Sequence, residues 1–370
     1  MSDADFMRRA LALAERGRGL TSPNPLVGAV VVRDGRVVGE GAHLRAGGAH
    51  AEVAALAAAG AAARGATLYV TLEPCAHQGR TPPCAPAVAA AGVARVVAAL
   101  RDPNPLVVGG GADVLRGAGI AVEMGVLAAE AERQNRAWLT AMRRGRPHVT
   151  LKAAATLDGK LADVHGTSKW ITGEAARLHA HRLRAESDAV LVGVGTALRD
   201  DPALTVRLPE PWPREPYRVV LDTRARLGAD ARVIHTGTPA RALVAVGESA
   251  PAARVAALEA AGAKVMRCVT REDRIDPAAL LERLFDLEVR AVLVEGGGET
   301  HAAFVEAGLV DRVALFLAPL LLGGREATGV VGGAGRDLKA ALRLTPPTTT
   351  ALGDDLLLEA DVLHDAEPRA

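Results

Sequence analysis

Thr71-Leu72-Glu73-Pro74-Cys75-Ala76-His77-Gln78-Gly79-Arg80-Thr81-Pro82-Pro83-Cys84, taken with His50-Ala51-Glu52 upstream, decides how the first half of this chain is read. Two cysteines and a histidine are three soft donors. Three protein donors with a fourth position left open is the make-up of a catalytic zinc site. A structural site would close that position with a fourth protein ligand, for which His77 and His43 are near in sequence, but it leaves Glu52 unexplained. A third reading has no metal at all, with Cys75 and Cys84 as small buried residues.

On a regular helix, positions two apart differ by about 200° in azimuth, so His50 and Glu52 cannot share a target from mid-helix. They can if the pair straddles a helix start, and Gly47-Gly48-Ala49 supplies such an entry. Cys75 follows an expected strand end and Cys84 immediately precedes an expected helix. A helix N-terminus and a cation both favour the thiolate a metal needs. Zinc lowers the pKa of a coordinated water to about 7. Glu52 would then carry a proton from that water to a ring nitrogen and to departing ammonia. The reaction so described is hydrolytic deamination of an amino-substituted nitrogen ring.

The bulk properties bound the rest. At 370 residues and about 150 residues per domain, two domains are expected. The boundary falls at Arg143-Arg144-Gly145-Arg146-Pro147, dividing residues 1–145 from 146–370. A net charge of +1 gives no bulk attraction to nucleic acid or an anionic membrane, and 2% aromatics leaves few stacking platforms for bases. Three cysteines cannot form an even disulfide framework, so reduced thiols in the cytoplasm are expected. Cys268 reads as a buried strand residue. The first residues run into a charged helical pattern rather than a targeting signal. The longest apolar run, Val313 to Leu322, contains Pro319 and is too short to span a bilayer. The expected partner is a small molecule, with neither nucleic acid nor membrane involved.

Periodicity predicts a helix over residues 5–17, a hairpin of Val27–Val32 and Arg36–Glu40 around Asp34-Gly35, and a helix from His50 through Ala63. Strands at 66–72 and 93–100, with helices at 86–91 and 112–118, complete a three-layer α/β domain. After the boundary, strands are expected at 148–154, 189–192, 218–221, 242–246, 264–267, 291–294 and 312–317, with helices between several of them: a second α/β domain. His364 to Ala370 reads as a frayed end. Val292-Leu293-Val294-Glu295-Gly296-Gly297-Gly298 is a strand entering a glycine loop and then a helix, where backbone amides could hold a pyrophosphate. The run is not the Rossmann fingerprint, and glycine-rich βα turns are common.

These residues carry a resemblance. Thr21-Ser22-Pro23-Asn24-Pro25, the hairpin, His50-Ala51-Glu52 and the Thr71–Cys84 run resemble the bacterial bifunctional riboflavin-biosynthesis deaminase–reductases. A short Cys-x-x-Cys spacing belongs instead to nucleoside and nucleic-acid deaminases. The resemblance implies a cytidine-deaminase-like fold, with His50, Cys75 and Cys84 as zinc ligands and Glu52 as proton shuttle. Asn24, His43 and Arg80 become pyrimidine or phosphate contacts. Ala76 stands where many members carry serine.

From Lys152 the resemblance continues through Lys152–Lys160, Ser168–Thr172, Val192–Thr196 and Asp200–Arg207. It implies a dihydrofolate-reductase-like α/β domain using NADPH. Cofactor contacts are then expected at Ala154, Trp170, Thr196, Asp200, Thr223, Gly297, Gly298, Glu299, Thr300, His301, Ala302 and Ala303. Glu299 departs from expectation, because an acid beside a pyrophosphate is unfavourable unless it points away. Ser168, Arg184, Leu204, Arg207 and Glu295 would line the substrate, with Arg184 and Arg207 as bidentate phosphate clamps. For Arg184 a solvated helix face is the competing reading. Lys152 would polarise the sugar carbonyl or sit in a structural ion pair, and Lys152, Asp200 and Glu295 are alternative acids. The implied chemistry removes the 2-amino group of 2,5-diamino-6-(5-phosphoribosylamino)pyrimidin-4(3H)-one and then reduces ribosyl to ribityl, in a homodimer. The rival is a deaminase whose C-terminal domain is a catalytically silent nucleotide-binding or oligomerisation module.

Overall fold

In the computed structural model, residues 1–78, 82–104 and 110–364 are described. The chain forms two compact units, Met1–Arg146 and Pro147–Ala370.

In the first unit, α1 (Asp3–Ala14) opens on a capping box in which Ser2 and Asp5 satisfy each other's backbone N–H. Strands β1 (Gly28–Arg33) and β2 (Arg36–Ala42) pair antiparallel. The turn between them places Asp34 and Gly35 at φ 50° and 72°, the backbone a two-residue hairpin demands. There follow α2 (Ala51–Ala59), β3 (Thr67–Val70), α3 (Cys84–Ala90), β4 (Arg95–Ala98), α4 (Gly111–Gly117), β5 (Ala121–Met124) and α5 (Ala128–Arg144). The sheet runs β2-β1-β3-β4-β5, with β3, β4 and β5 parallel. Helix α2 lies close on β2 because Gly39 and Gly41 face it. A Cβ at Gly41 would come within 2.3 Å of Ala51 O, so the first turn of α2 is set by a glycine on the neighbouring strand.

Two local readings change. The expected helix over 50–63 stops at Ala59 and continues as a 3₁₀ turn, because Gly60 takes φ 53°. The basic segment expected at the domain boundary begins inside α5: Arg143 and Arg144 form its last turn, and Gly145 caps it at φ 64°. Both cations sit where a helix C-terminus favours them.

The second unit contains β6 (His148–Thr156), α6 (Glu174–Glu186), β7 (Ala189–Gly193), α7 (Val194–Asp200), β8 (Tyr217–Leu221), α8 (Arg232–His235), β9 (Ala242–Gly247), α9 (Ala252–Ala260) and β10 (Lys264–Cys268). A small hairpin of β11 (Thr270–Arg271) and β12 (Arg274–Ile275) precedes α10 (Pro277–Asp286), β13 (Ala291–Val294), α11 (Gly298–Glu306) and β14 (Arg312–Ala318). Strands β15 (Thr348–Leu352) and β16 (Asp355–Asp361) close the unit. The nine-stranded sheet runs β10-β9-β8-β7-β13-β6-β14-β16-β15. It is parallel through β14, and β16 and β15 then add as an antiparallel edge. Separate apolar clusters cover its faces, one holding Val149, Leu151 and Phe304, another Val190, Val192 and Ile234. Strand β13 lies between β7 and β6, so their carboxyl ends converge, and in open parallel sheets ligands bind beyond such ends. Cys268 is 3% exposed at the end of β10, as a structural thiol should be. Of the expected frayed end, residues 365–370 lie outside the described residues.

Candidate functional site

In the first unit, His50 is the N-cap of α2, with extended backbone at φ −72° and ψ 155°, and Glu52 lies in the first helical turn. The pair therefore straddles a helix start, which releases both side chains from helical azimuths. Cys75 lies in the loop after β3, and Cys84 is the first residue of α3. His50 Nδ1 is 3.0 Å from Cys84 Sγ and 3.7 Å from Cys75 Sγ. The Cys84 amide donates to Cys75 Sγ at 3.3 Å. The three donor atoms all lie within 4.8 Å of one another, and no fourth His, Cys, Asp or Glu joins the group among the described residues.

The electrostatics suit a cation. The hydrogen bond from Cys84, helped by His50 and the Cys84 amide against the cost of burial, holds Cys75 down to about 4, so one thiolate is preformed. Pairing with Cys75 and burial push the Cys84 thiol up. A metal cation reverses that second penalty. Glu52 is 4% exposed, and burial raises its carboxyl to about 7. A soft, half-buried three-donor set with a buried acid beside it fits zinc with one position left open.

Neither nearby histidine completes the set. His43 Nδ1 lies 3.0 Å from Ala49 O and its Nε2 lies 3.1 Å from Asn24 Nδ2. One neutral tautomer satisfies both contacts: Nδ1–H donates to the carbonyl and Nε2 accepts from the amide. Burial also lowers the His43 pKa. The His43 ring packs edge-on at 5.4 Å against His50, so Asn24 and His43 line the same centre. Arg80 lies outside the described residues. Glu73, which the sequence reading passed over, is 5% exposed and accepts from Ala112 N at 2.8 Å and Asp102 N at 3.1 Å. It ties the cysteine loop to the segments beyond β4 and at the start of α4. Its place beside Pro74-Cys75 was the signal available in the sequence.

In the second unit a cleft of about 240 Å³ brings together Lys152 and Ala154 from β6, the Ser168–Thr172 loop, Thr196 and Asp200 from α7, and Glu295, Gly297 and His301 around the start of α11. Period two on β6 sends Lys152 and Ala154 to one face. Gly296 is required for close approach: a Cβ there would lie 2.6 Å from Val192 Cα. The glycine run thus brings the start of α11 against β7 as well as leaving room for a ligand. Glu299 does point away. Its Oε1 accepts from Gly333 N at 3.2 Å and its Oε2 lies 3.4 Å from Arg274. His301 Nδ1 donates to Val330 O at 2.7 Å, and its buried Nε2 has no partner among the described residues. His301 and Gly297 line the cleft, and with the amides of the glycine loop they fit a dinucleotide's polar groups.

Other expected contacts are placed differently. Leu204 is 2% exposed in the core cluster, so it offers a ligand main chain rather than side chain. Ala302 is 1% exposed, on the buried side of α11, while Thr300 reaches Gly193. Ala303 is half-buried on α11. Thr223 is half-buried just beyond β8, and Trp170 is exposed, with the Arg177 guanidinium 4.7 Å over its ring. The guanidinium of Arg184 is not a free phosphate clamp. It binds Glu295 bidentately at 2.7 and 2.8 Å and Thr205 O at 3.0 Å. The solvated-face reading of Arg184 fails on the same contacts. Lys152 Nζ approaches Glu295 at 3.8 Å. Burial alone would raise Glu295, but Arg184 and Lys152 outweigh it and hold the carboxyl at about 2. Glu295 is therefore an anion at working pH, which removes it as an acid. Burial lowers the Lys152 pKa, with Arg184 assisting and Glu295 opposing.

Comparison with known proteins covers both units. The family described as the cytidine and deoxycytidylate deaminase zinc-binding region matches residues 1–100, and the RibD C-terminal domain matches residues 147–358. The chain is 46% identical over 357 residues to riboflavin biosynthesis protein RibD of Bacillus amyloliquefaciens, covering 96% of this chain and 95% of that one. It is 44% identical over 337 residues to its Escherichia coli K12 counterpart, covering 87% and 89%. Among solved structures, Acinetobacter baumannii RibD superposes with a TM-score of 0.88 at 40% identity, over 98% and 99% of the two chains. A Thermotoga maritima protein, described as a diaminohydroxyphosphoribosylaminopyrimidine deaminase/5-amino-6-(5-phosphoribosylamino)uracil reductase, gives 0.82 at 36% identity over 98% and 99%.

Proposed function

This chain belongs to the RibD family of riboflavin biosynthesis, a deaminase joined to a reductase, and from that premise we propose how its own residues divide the two steps. The observation that carries the division is that each unit holds one largely enclosed, internally paired cluster of the right chemistry. His50, Cys75 and Cys84 converge in the first, and Lys152, Arg184 and Glu295 in the second.

The deamination acts on 2,5-diamino-6-(5-phosphoribosylamino)pyrimidin-4(3H)-one. His50, Cys75 and Cys84 hold zinc, which when bound supplies Lewis acidity beside Glu52. Glu52, poised by burial to hold or release a proton near neutral pH, would take the two protons of the attacking water in turn, passing the first to the ring nitrogen and the second to the departing ammonia as a C–O bond replaces the C–N bond. Asn24 and His43, locked to each other, orient the pyrimidine, and His43 stays neutral while doing so. Arg80 is the proposed phosphate contact on this side.

The reduction converts the ribosyl group to ribityl. Ala154, Trp170, Thr196, Asp200, Thr223 and the backbone of the Gly297–Ala303 segment would hold NADPH, which when bound supplies the hydride, and Ser168 lies on the substrate side of the cleft. Lys152 donates the proton to the sugar oxygen, its acidity raised by burial. Arg184 keeps Glu295 ionised, and Glu295 accepts from substrate hydroxyls. Arg207, exposed and without an ion-pair partner among the described residues, takes the phosphate. We further propose a cytoplasmic homodimer, on the family's expectation; sedimentation at micromolar concentration tests the dimer. No helix among the described residues is long and apolar enough to cross a membrane.

Supplying the deaminated substrate directly tests the division. Chelator-stripped protein should oxidise NADPH at the untreated rate while releasing no ammonia from the diamino substrate. Loss of both activities on stripping would contradict separate sites.

A further inference from the structure

Helix α6 places Arg177, His181 and Arg184 at spacings of four and three, along one face. Arg177 and Arg184 have partners already described. His181 has a different kind: its Nδ1 accepts the main-chain N–H of Arg207 at 3.2 Å. Three residues along the same helix, Arg184 donates to Thr205 O at 3.0 Å. The strip from Thr205 to Arg207 is thus tied to α6 at two points, just after Leu204 turns the chain at φ 52° with its side chain in the core.

We propose that His181 is a positioning residue of the reductase, fixing the main chain at Arg207 so that this guanidinium is presented to the phosphate of the ribosyl substrate. The inference rests on the assignment of Arg207 to that phosphate. A ring nitrogen accepts a hydrogen bond only while it carries no proton. The surroundings keep it so: burial, then Arg184 on the same helix, Arg207 on the tethered strip and Lys152 on β6, lower His181 to about 4, with Glu295 opposing. A neutral acceptor in a basic cluster adds no charge of its own, and leaves Arg207 as the group's unpaired cation among the described residues.

The test is steady-state reduction of the deaminated phosphoribosyl substrate by four variants, with thermal melts as a folding control. His181→Phe keeps an aromatic ring and removes the acceptor, and should raise KM about tenfold with kcat within twofold, as expected for loss of one ordering hydrogen bond. His181→Asn keeps an acceptor near the Nδ1 position and should restore KM to within about threefold of wild type. Arg207→Ala should raise KM further, and Arg207→Ala/His181→Phe should be no worse than Arg207→Ala alone, since both changes remove one function. Additive effects of the two changes, or an unaltered KM in His181→Phe, would overturn the positioning role and leave Arg207 on the phosphate. An unaltered KM in Arg207→Ala would overturn the phosphate assignment, and this inference with it.

Discussion

The two candidate sites differ in how they are built. The metal centre takes its donors from a helix cap, a strand-end loop and a helix start within 35 consecutive residues, 50–84. The cleft draws on segments from Lys152 to Thr328, and its central ion pair joins residues 111 apart in sequence. The first site depends on backbone geometry at two helix starts. The second depends on a charge network whose members neutralise one another across a sheet. Damage should therefore be local and chemical in the first, and spread into stability in the second.

The sharpest way to break that contrast is at the metal. Cys84→Ser should abolish zinc retention, read by metal analysis, and with it ammonia release, while NADPH oxidation with deaminated substrate continues. Next, Glu52→Gln should keep one equivalent of zinc yet lower deamination by about 10²–10⁴-fold. A fall in both activities would show the sites to be coupled. For the cleft, Arg184→Met leaves Glu295 buried with only the more distant Lys152. Breaking a buried pair from one side costs about 3–5 kcal/mol, which a denaturant titration would register as a lower midpoint. The smallest effect is in pH. Glu295 has a folded pKa of about 2, below an unfolded value of about 4.3. Its stabilising contribution is complete above about pH 4 and is lost as pH falls toward about 2. Melting temperatures of the wild type should fall over that interval more steeply than those of Glu295→Gln.

The same contrast explains what could be read from the sequence. His50, Glu52, Cys75 and Cys84 were legible because a short-range motif carries both their chemistry and their geometry. The Asp34-Gly35 hairpin and the parallel strands were legible through turn chemistry and apolar runs. Helix α5 was not, because its exposed face is charged and its buried side chains, among them Ala131, Trp138 and Leu139, are sparse. Its stop signal, Gly145 followed by Pro147, was present. The β15–β16 hairpin was hidden because β15 is a largely exposed edge strand, without the alternation that marks a half-buried one. Arg184 illustrates the limit in the cleft. Its residue type pointed to a phosphate, and only the fold shows that Glu295 already occupies its fork. His181 carried no signal in the sequence for the same reason: the amide it accepts is 26 residues away.

The central claim, two sites acting in order, is tested most directly by mixing zinc-loaded protein with the diamino substrate and NADPH and following NADPH absorbance. The account predicts steady loss in the wild type, none in Glu52→Ala, and full recovery of that variant when the deaminated substrate is supplied. Ammonia release without any NADPH loss in the wild type would contradict it, and would make the second unit a silent domain.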